Sequence, residues 1–233
     1  YFAMRYENKW LIPYRQTTTL TVSESSKADL EQIGFTNVKV IPMGISTNPL
    51  DKVRQKEDNM TITFIGRLKR HKLPDHAVKA FTTIKKKIPT SKMWIIGDGY
   101  MRRDLEQLGI KDITFFGRVN SSKKYDLLSK SHLVLAPSIR EGWGLIVTES
   151  NAMGTPVVAY NVNGLRDSVI HDTNGILTDS NTPESLAESS LKLLNDKENL
   201  MNLSNKALEH SRNFSWDKTT DYISSQIDKI TSF

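Results

Sequence analysis

The stretch that decides the architecture is Leu133-Val134-Leu135-Ala136-Pro137-Ser138-Ile139-Arg140-Glu141-Gly142-Trp143-Gly144-Leu145-Ile146-Val147-Thr148-Glu149-Ser150. Four apolar residues in a row, without polar alternation, read as a strand covered on both faces, as in a parallel sheet. Pro137 closes the run, Gly142-Trp143-Gly144 makes a tight turn, and a helical period starts near Leu145. The same strand-then-helix order recurs on both sides. Apolar, β-branched runs fall at Thr17–Val22, Val38–Ile41, Thr61–Ile65, Met93–Ile96, Ile113–Phe116, Pro156–Ala159 and Gly175–Leu177. Helical periods fall at Asp75–Ile88, Met101–Leu108, Lys123–Ser129, Leu145–Met153 and Pro183–Asn195. Regular alternation of this kind predicts an α/β, doubly wound parallel sheet, followed by C-terminal helices over Lys197–Phe233 with a break at Phe214-Ser215.

One segment breaks the rhythm. Pro42, Gly44 and Pro49 precede a polar, charged run from Asp51 to Asn59, which reads as a linker. The residues before it hold one helix pattern, a strand, a helix from Ser25 to Ile33 stopped by Gly34, and another strand, too little for a complete domain. About 170 residues follow, enough for a full core. The expected division is therefore 1–46 and 47–233, with a closing helix at about 215–231 capped by Ser215. A first residue of Tyr1 rather than Met suggests a processed or truncated chain, or the ordered part of a longer one.

The 233 residues are 38% hydrophobic and 25% charged, a globular and not a disordered composition. No run is apolar for long enough to span a bilayer. There is no Cys, which excludes disulfide frameworks, thiolate metal sites and Cys nucleophiles, and suits a reducing, cytoplasmic compartment. His71, His76, His132, His171 and His210 are too scattered to suggest a metal cluster; His132 reads as a core or strand-edge residue and the others as surface. With 32 Lys and Arg against 26 Asp and Glu, the net charge is +6, a field that attracts nucleotides, phosphorylated ligands or anionic surfaces.

Ligands of open parallel sheets bind beyond the carboxyl ends of the strands, so the strand-to-helix junctions are the places to look. After Thr61–Ile65 comes Gly66-Arg67-Leu68-Lys69-Arg70-His71-Lys72: Gly66 allows a close turn, while Arg67 as a fork and Lys72 as a point charge suit a diphosphate. Next are Gly97-Asp98-Gly99, and Gly117-Arg118-Val119 with Ser121 or Ser122 as a helix cap. At the Gly142-Trp143-Gly144 turn the first amides of the coming helix lack intrahelical partners and suit an anion. Glu141 and Glu149 flank that turn, and carboxylates repel phosphate but accept from sugar hydroxyls, so the combination suits a nucleotide sugar. Trp143 either flanks the sugar or packs on the helix. The corner at Tyr160-Asn161-Val162-Asn163-Gly164 closes a pocket wall at most.

In this order the motifs resemble the C-terminal, donor-binding domain of family 4 glycosyltransferases, which have the GT-B fold of two Rossmann-like domains. The resemblance rests on the Gly66-Arg67-Leu68…Lys72 loop, Gly97-Asp98-Gly99, Phe116-Gly117-Arg118-Val119, the Glu141-x7-Glu149 pair, Gly154-Thr155-Pro156-Val157-Val158-Ala159 and Phe214-Ser215-Trp216. It makes 1–46 the remnant of an N-terminal, acceptor-side domain with the hinge, and implies that a chain without the rest of that domain binds donor but does not turn over. It implies a retaining, metal-independent hexosyltransferase that uses a UDP- or GDP-sugar and no cofactor. Its acceptor would be a glycan, a lipid-linked sugar or a small molecule. Arg67 and Lys72 would hold the diphosphate, Glu141 the transferred sugar, and Glu149 the ribose. The amides of Gly142, Trp143, Gly144 and Leu145 would line sugar and phosphate, and Gly66, Arg118 and Val119 would bring backbone against the donor, with Lys124 nearby. One departure is visible: where the family has a glycine after the phosphate lysine, this chain has Leu73.

The alternatives are another GT-B enzyme, such as a nucleotide-sugar epimerase or a glycogen-synthase relative, a non-catalytic nucleotide-sugar-binding module, or a basic domain bound to an anionic membrane surface through Lys69 to Lys72, Lys85-Lys86-Lys87 and Arg102-Arg103. No aromatic RNA-binding signature or zinc-finger spacing supports nucleic acid. The membrane reading expects the protein to pellet with anionic vesicles at low salt; no co-sedimentation there removes it.

Overall fold

The computed structural model describes residues 9–41 and 43–231. Pro42, which the sequence reading places in the interdomain break, and part of its front helix pattern lie outside the described residues. The chain divides into two compact units, one from Thr47 to Asn213, the other comprising the residues up to Ser46 together with those from Phe214 onward.

The smaller unit holds two parallel strands, β1 (Thr19–Thr21) and β2 (Val38–Val40), paired from Thr19 against Val38. Helix α1 (Glu24–Gln32), which the sequence places at Ser25 to Ile33, joins them, capped by Ser23, whose hydroxyl accepts from the Ser26 amide at 3.1 Å.

The larger unit contains a six-stranded, wholly parallel sheet: β3 (Thr61–Ile65), β4 (Lys92–Ile96), β5 (Ile113–Gly117), β6 (Leu133–Ala136), β7 (Val157–Ala159) and β8 (Gly175–Leu177). Their order across the sheet is β5-β4-β3-β6-β7-β8. Counted from the first strand of the sheet this is 3-2-1-4-5-6, the doubly wound order whose direction reverses between its first and fourth strands, here β3 and β6. The helices are α2 (Pro74–Lys87), α3 (Arg102–Gln107), α4 (Ser121–Lys130), α5 (Leu145–Ala152), α6 (Leu165–Ser168), α7 (Pro183–Leu194) and α8 (Lys197–Ser211). Side chains alternate along each strand. Ile62 and Phe64 of β3, with Met93 and Ile95 of β4, pack among Ala77, Phe81 and Ile84 of α2 and Leu186 of α7. The intervening Ile65, Trp94 and Ile96 turn to the other face, where they meet Leu127 of α4. Both faces are covered, which is why the strands carry continuous apolar runs. Helix α4 is capped by Asn120, whose Oδ1 accepts from the Lys123 amide at 2.9 Å, and not by Ser121 or Ser122.

The closing helix α9 (Trp216–Thr231), counted with 47–233 in the sequence reading, belongs to the smaller unit. The reason is local packing: a Cβ on Gly44 would stand 2.6 Å from the Trp216 ring, Trp216 Nε1 donates to Ser46 Oγ at 3.2 Å, and Lys39 Nζ donates to Gln226 Oε1 at 2.7 Å.

The charged run from Asp51 to Asn59 is irregular and largely exposed, yet it is fastened to the larger unit. The Leu50 amide donates to the Ala152 carbonyl at 2.9 Å, and the Glu57 amide to the Lys130 carbonyl at 3.0 Å. Between them Lys56 is half-buried, its ammonium donating to Gly154 O and Thr155 Oγ1 at 2.9 Å and to Ser129 O at 3.1 Å. Burial lowers its pKa to about 7, and its charge adds to the burial that lowers neighbouring His132 to about 4. His132 Nδ1 accepts from the Thr61 amide at 3.0 Å, the strand-edge role expected of it. Among the described residues no helix is long and apolar enough to cross a membrane.

Because the folded chain holds the Lys56 proton less tightly than the unfolded chain, stability rises with pH from about 7 towards the ordinary lysine range, and is lowest below 7. Lys56→Met removes that slope: urea unfolding at pH 6.5 and pH 9 should show the unaltered protein gaining about 1–2 kcal/mol relative to the variant at the higher pH.

Candidate functional site

The site lies at the carboxyl ends of β3 and β6, where the strand order reverses. The loop after β3 runs from Gly66 through a short helical turn, Arg70–Lys72, to Leu73 at the start of α2. Leu73 has φ 48° and ψ 50°, the left-handed conformation. That explains the departure from the glycine expected here. The backbone keeps the shape a glycine would give it, at a cost of about 1–2 kcal/mol, and the half-buried Leu73 side chain packs against the main core.

Neighbouring backbones brace this loop. The Gly66 amide donates to Ile96 O, and the Leu68 amide to Asp98 O, both at 3.0 Å. A Cβ on Gly97, whose φ is 125°, would come 2.0 Å from the Gly66 carbonyl oxygen. So Gly97-Asp98-Gly99 is the wall against which the Arg67–Lys72 loop rests. The Tyr100 hydroxyl accepts from the Arg70 amide at 2.9 Å. Arg67 is exposed, its guanidinium 3.4 Å from His71 Nε2.

The loop after β6 is tied to this one. The Ile139 amide donates to His71 O at 2.9 Å, and the Lys72 ammonium forms an ion pair with Glu141 Oε1. The same oxygen accepts the hydroxyl of Ser138. Lys72 and Glu141 side chains are 21% and 14% exposed, so the pair is shielded but reachable. From the other side the Glu141 amide donates to Asn163 O at 3.0 Å, and a Cβ on Gly164 would lie 2.2 Å from Glu141 O. The corner at Asn163-Gly164, read as no more than a wall, thus supports the backbone of a central carboxylate.

Gly142 is exposed, Trp143 half-buried and Gly144 buried. Gly144, at φ 88°, precedes α5, and no side chain caps this helix. The amide dipoles of its first turn, beginning at exposed Leu145, carry partial positive charge. Glu149, one turn on, meets Lys124 Nζ at 2.6 Å and the Tyr125 hydroxyl at 3.3 Å. Burial draws the Lys124 pKa down, but the hydrogen bond and charge of Glu149 outweigh it and leave the ammonium above its ordinary value. Burial and Glu149 raise the Tyr125 phenol likewise. Arg118 is exposed and Val119 half-buried beyond β5. His76, expected at the surface, is half-buried, and its Nδ1 lies 2.8 Å from the hydroxyl of buried Tyr160.

Sequence reasoning gives no role to Ser138, Tyr125 or Tyr100. The position of Ser138, three residues before Glu141 in a strand-end loop, was the one available signal; the others owe their role to contacts across the sheet.

A parallel α/β domain with charged loops gathered at its switch point belongs to the class of Rossmann-like domains. More particularly, residues 47–210 match the model of the glycosyl transferases group 1 family, and the chain belongs to that family. It is similar to an uncharacterized glycosyltransferase of Methanocaldococcus jannaschii, 30% identical over 233 residues that cover 90% of this chain and 59% of the relative. It is also similar to the D-inositol 3-phosphate glycosyltransferase of Corynebacterium glutamicum, 32% identical over 176 residues covering 70% of this chain and 42% of the relative. The chain therefore spans about half the length of these curated relatives. Its fold matches the crystal structure of Anabaena HepE in complex with UDP-glucose, with a TM-score of 0.77, 19% identity, and coverage of 91% of this chain and 64% of that one.

Two substitutions separate the left-handed positions. Gly164→Ala places a methyl against the Glu141 carbonyl and should cost about 2–4 kcal/mol in urea unfolding. Leu73→Gly relieves strain while losing packing, and should stay within about 1 kcal/mol of the unaltered protein.

Proposed function

We propose that this chain is the donor-binding part of a retaining, metal-independent hexosyltransferase of family 4 type. It would move a sugar from a UDP- or GDP-sugar to an acceptor hydroxyl on a glycan, a lipid-linked sugar or a small molecule. The observation that carries the reading is the meeting of Lys72 and Glu141, a phosphate-binding cation and a hydroxyl-binding carboxylate, delivered by adjacent strands to one point at the sheet's switch. Membership of the glycosyl transferases group 1 family supports it, as does the fold shared with a protein that holds UDP-glucose.

In this reading the donor diphosphate lies between the Arg67 guanidinium, the Lys72 ammonium and the first amides of α5. As the bond to the sugar's anomeric carbon breaks, negative charge grows on the departing nucleotide. Fixed positive groups at that oxygen lower the barrier, because they are oriented before the reaction begins. Glu141 accepts a hydroxyl of the transferred sugar. Glu149 accepts the ribose hydroxyls, with Lys124 and Tyr125 holding its carboxylate in place. Backbone at Gly66, Arg118 and Val119 abuts the donor, and Gly142, Trp143, Gly144 and Leu145 line sugar and phosphate.

A thermal-shift panel of UDP-, GDP- and ADP-sugars tests the reading, since a ligand bound to the folded state raises Tm. One member of the panel should raise it well above the rest. By calorimetry Arg67→Ala and Glu149→Ala should each weaken that nucleotide diphosphate about tenfold or more, whereas Glu141→Ala should chiefly reduce the preference for the attached sugar. Unchanged affinity in all three variants discards the site.

A further inference from the structure

The Lys72 ammonium and the Ser138 hydroxyl both point their protons at Glu141 Oε1. Ser138 is buried, at 4% exposure, and Lys72 and Glu141 are largely shielded. A phosphate drawn to Lys72 must compete with Glu141 for the same ammonium. When Lys72 turns to the phosphate, Glu141 keeps the Ser138 proton but loses its charged donor, and a shielded carboxylate without that donor is disfavoured. A sugar carried on the same ligand supplies a replacement, because its hydroxyl donates to the carboxylate as the ammonium leaves. A diphosphate without a sugar draws off the lysine and brings Glu141 nothing.

We propose that Lys72, Glu141 and Ser138 form a selectivity element that couples phosphate binding to sugar binding. Resting on the reading of this cleft as a donor site, it makes the intact nucleotide sugar favoured over the bare nucleoside diphosphate that transfer leaves behind. Glu141 thereby weakens the product. Ser138 is a positioning residue: it holds Oε1 while Lys72 changes partner and leaves Oε2 for the sugar hydroxyl.

The test is calorimetry of the whole 233-residue chain with UDP, UDP-glucose, GDP and GDP-mannose, each variant first checked for a cooperative melt. Glu141→Gln keeps the shape and removes the charge. It should bind the nucleoside diphosphate about tenfold tighter than the unaltered chain, with no gain for the matching nucleotide sugar. Glu141→Ala is the second variant and should shift diphosphate affinity the same way. Ser138→Ala should weaken the diphosphate roughly threefold, have no effect in the Glu141→Gln background, and be rescued by Ser138→Thr. Diphosphate affinity that is equal or lower in both Glu141 variants, while the unaltered chain binds diphosphate, overturns the coupling and leaves the donor site standing. No nucleotide binding by the unaltered chain overturns the donor site and the coupling together.

Discussion

A lysine that leaves one strand and a carboxylate that leaves its neighbour meet across the line where the sheet reverses its order, and the rest of the site is arranged around that contact. Parallel strands put all their carboxyl ends on one rim. Between β3 and β6 no crossover helix intervenes, since their connections run on to β4 and β7. Loops that depart from adjacent strands towards different neighbours leave a crevice between them. Lys72 and Glu141 span that crevice, and the backbone bond from Ile139 to His71 holds its two walls at a fixed distance.

A contact between two charged side chains is only as definite as the backbones that bear them. Here those backbones are braced by glycines on either flank. On one side Gly97 brings β4's loop against Gly66; on the other Gly164 brings β7's loop against Glu141. Each approach leaves no room for a side chain. The cost is paid in chain entropy and left-handed geometry, and at Leu73 even without a glycine. What it secures is a fixed orientation of Lys72 and Glu141, which the proposed stabilisation of a leaving group would need.

How far this could be read from the sequence follows from the range of the interactions. Strands β3 and β6 coincide with their apolar runs, because burial on both faces leaves an unbroken mark. Arg67, Lys72, Glu141 and Glu149 stood out because each sits in a strand-end loop or its helix. The charged run around Lys56 reads as a linker because the acceptors of that lysine, Ser129, Gly154 and Thr155, are 73 to 99 residues away. Helix α9 was assigned to the wrong unit for a like reason: Trp216 packs on Gly44, and nothing local to either residue announces it. The left-handed Leu73 is the hardest case, because side-chain preference argues against the conformation that the loop imposes.

Net charge alone would have suggested a cleft full of positive field. The arrangement is more selective. Glu141 is matched by Lys72 and Glu149 by Lys124, so two cations of the strand-end loops and their helices are already engaged by two acids. Arg67 and Arg118 remain exposed at the rim and supply the long-range attraction for an anion. On the proposed reading, an anion bound at Lys72 or Lys124 would have to displace an ion pair, and would gain most where it gives the displaced acid a new donor. Phosphate has none to give at neutral pH, whereas ribose and hexose rings have several. Such an arrangement would, on that proposed reading, favour a ligand that carries hydroxyl-bearing rings on both ends of its diphosphate.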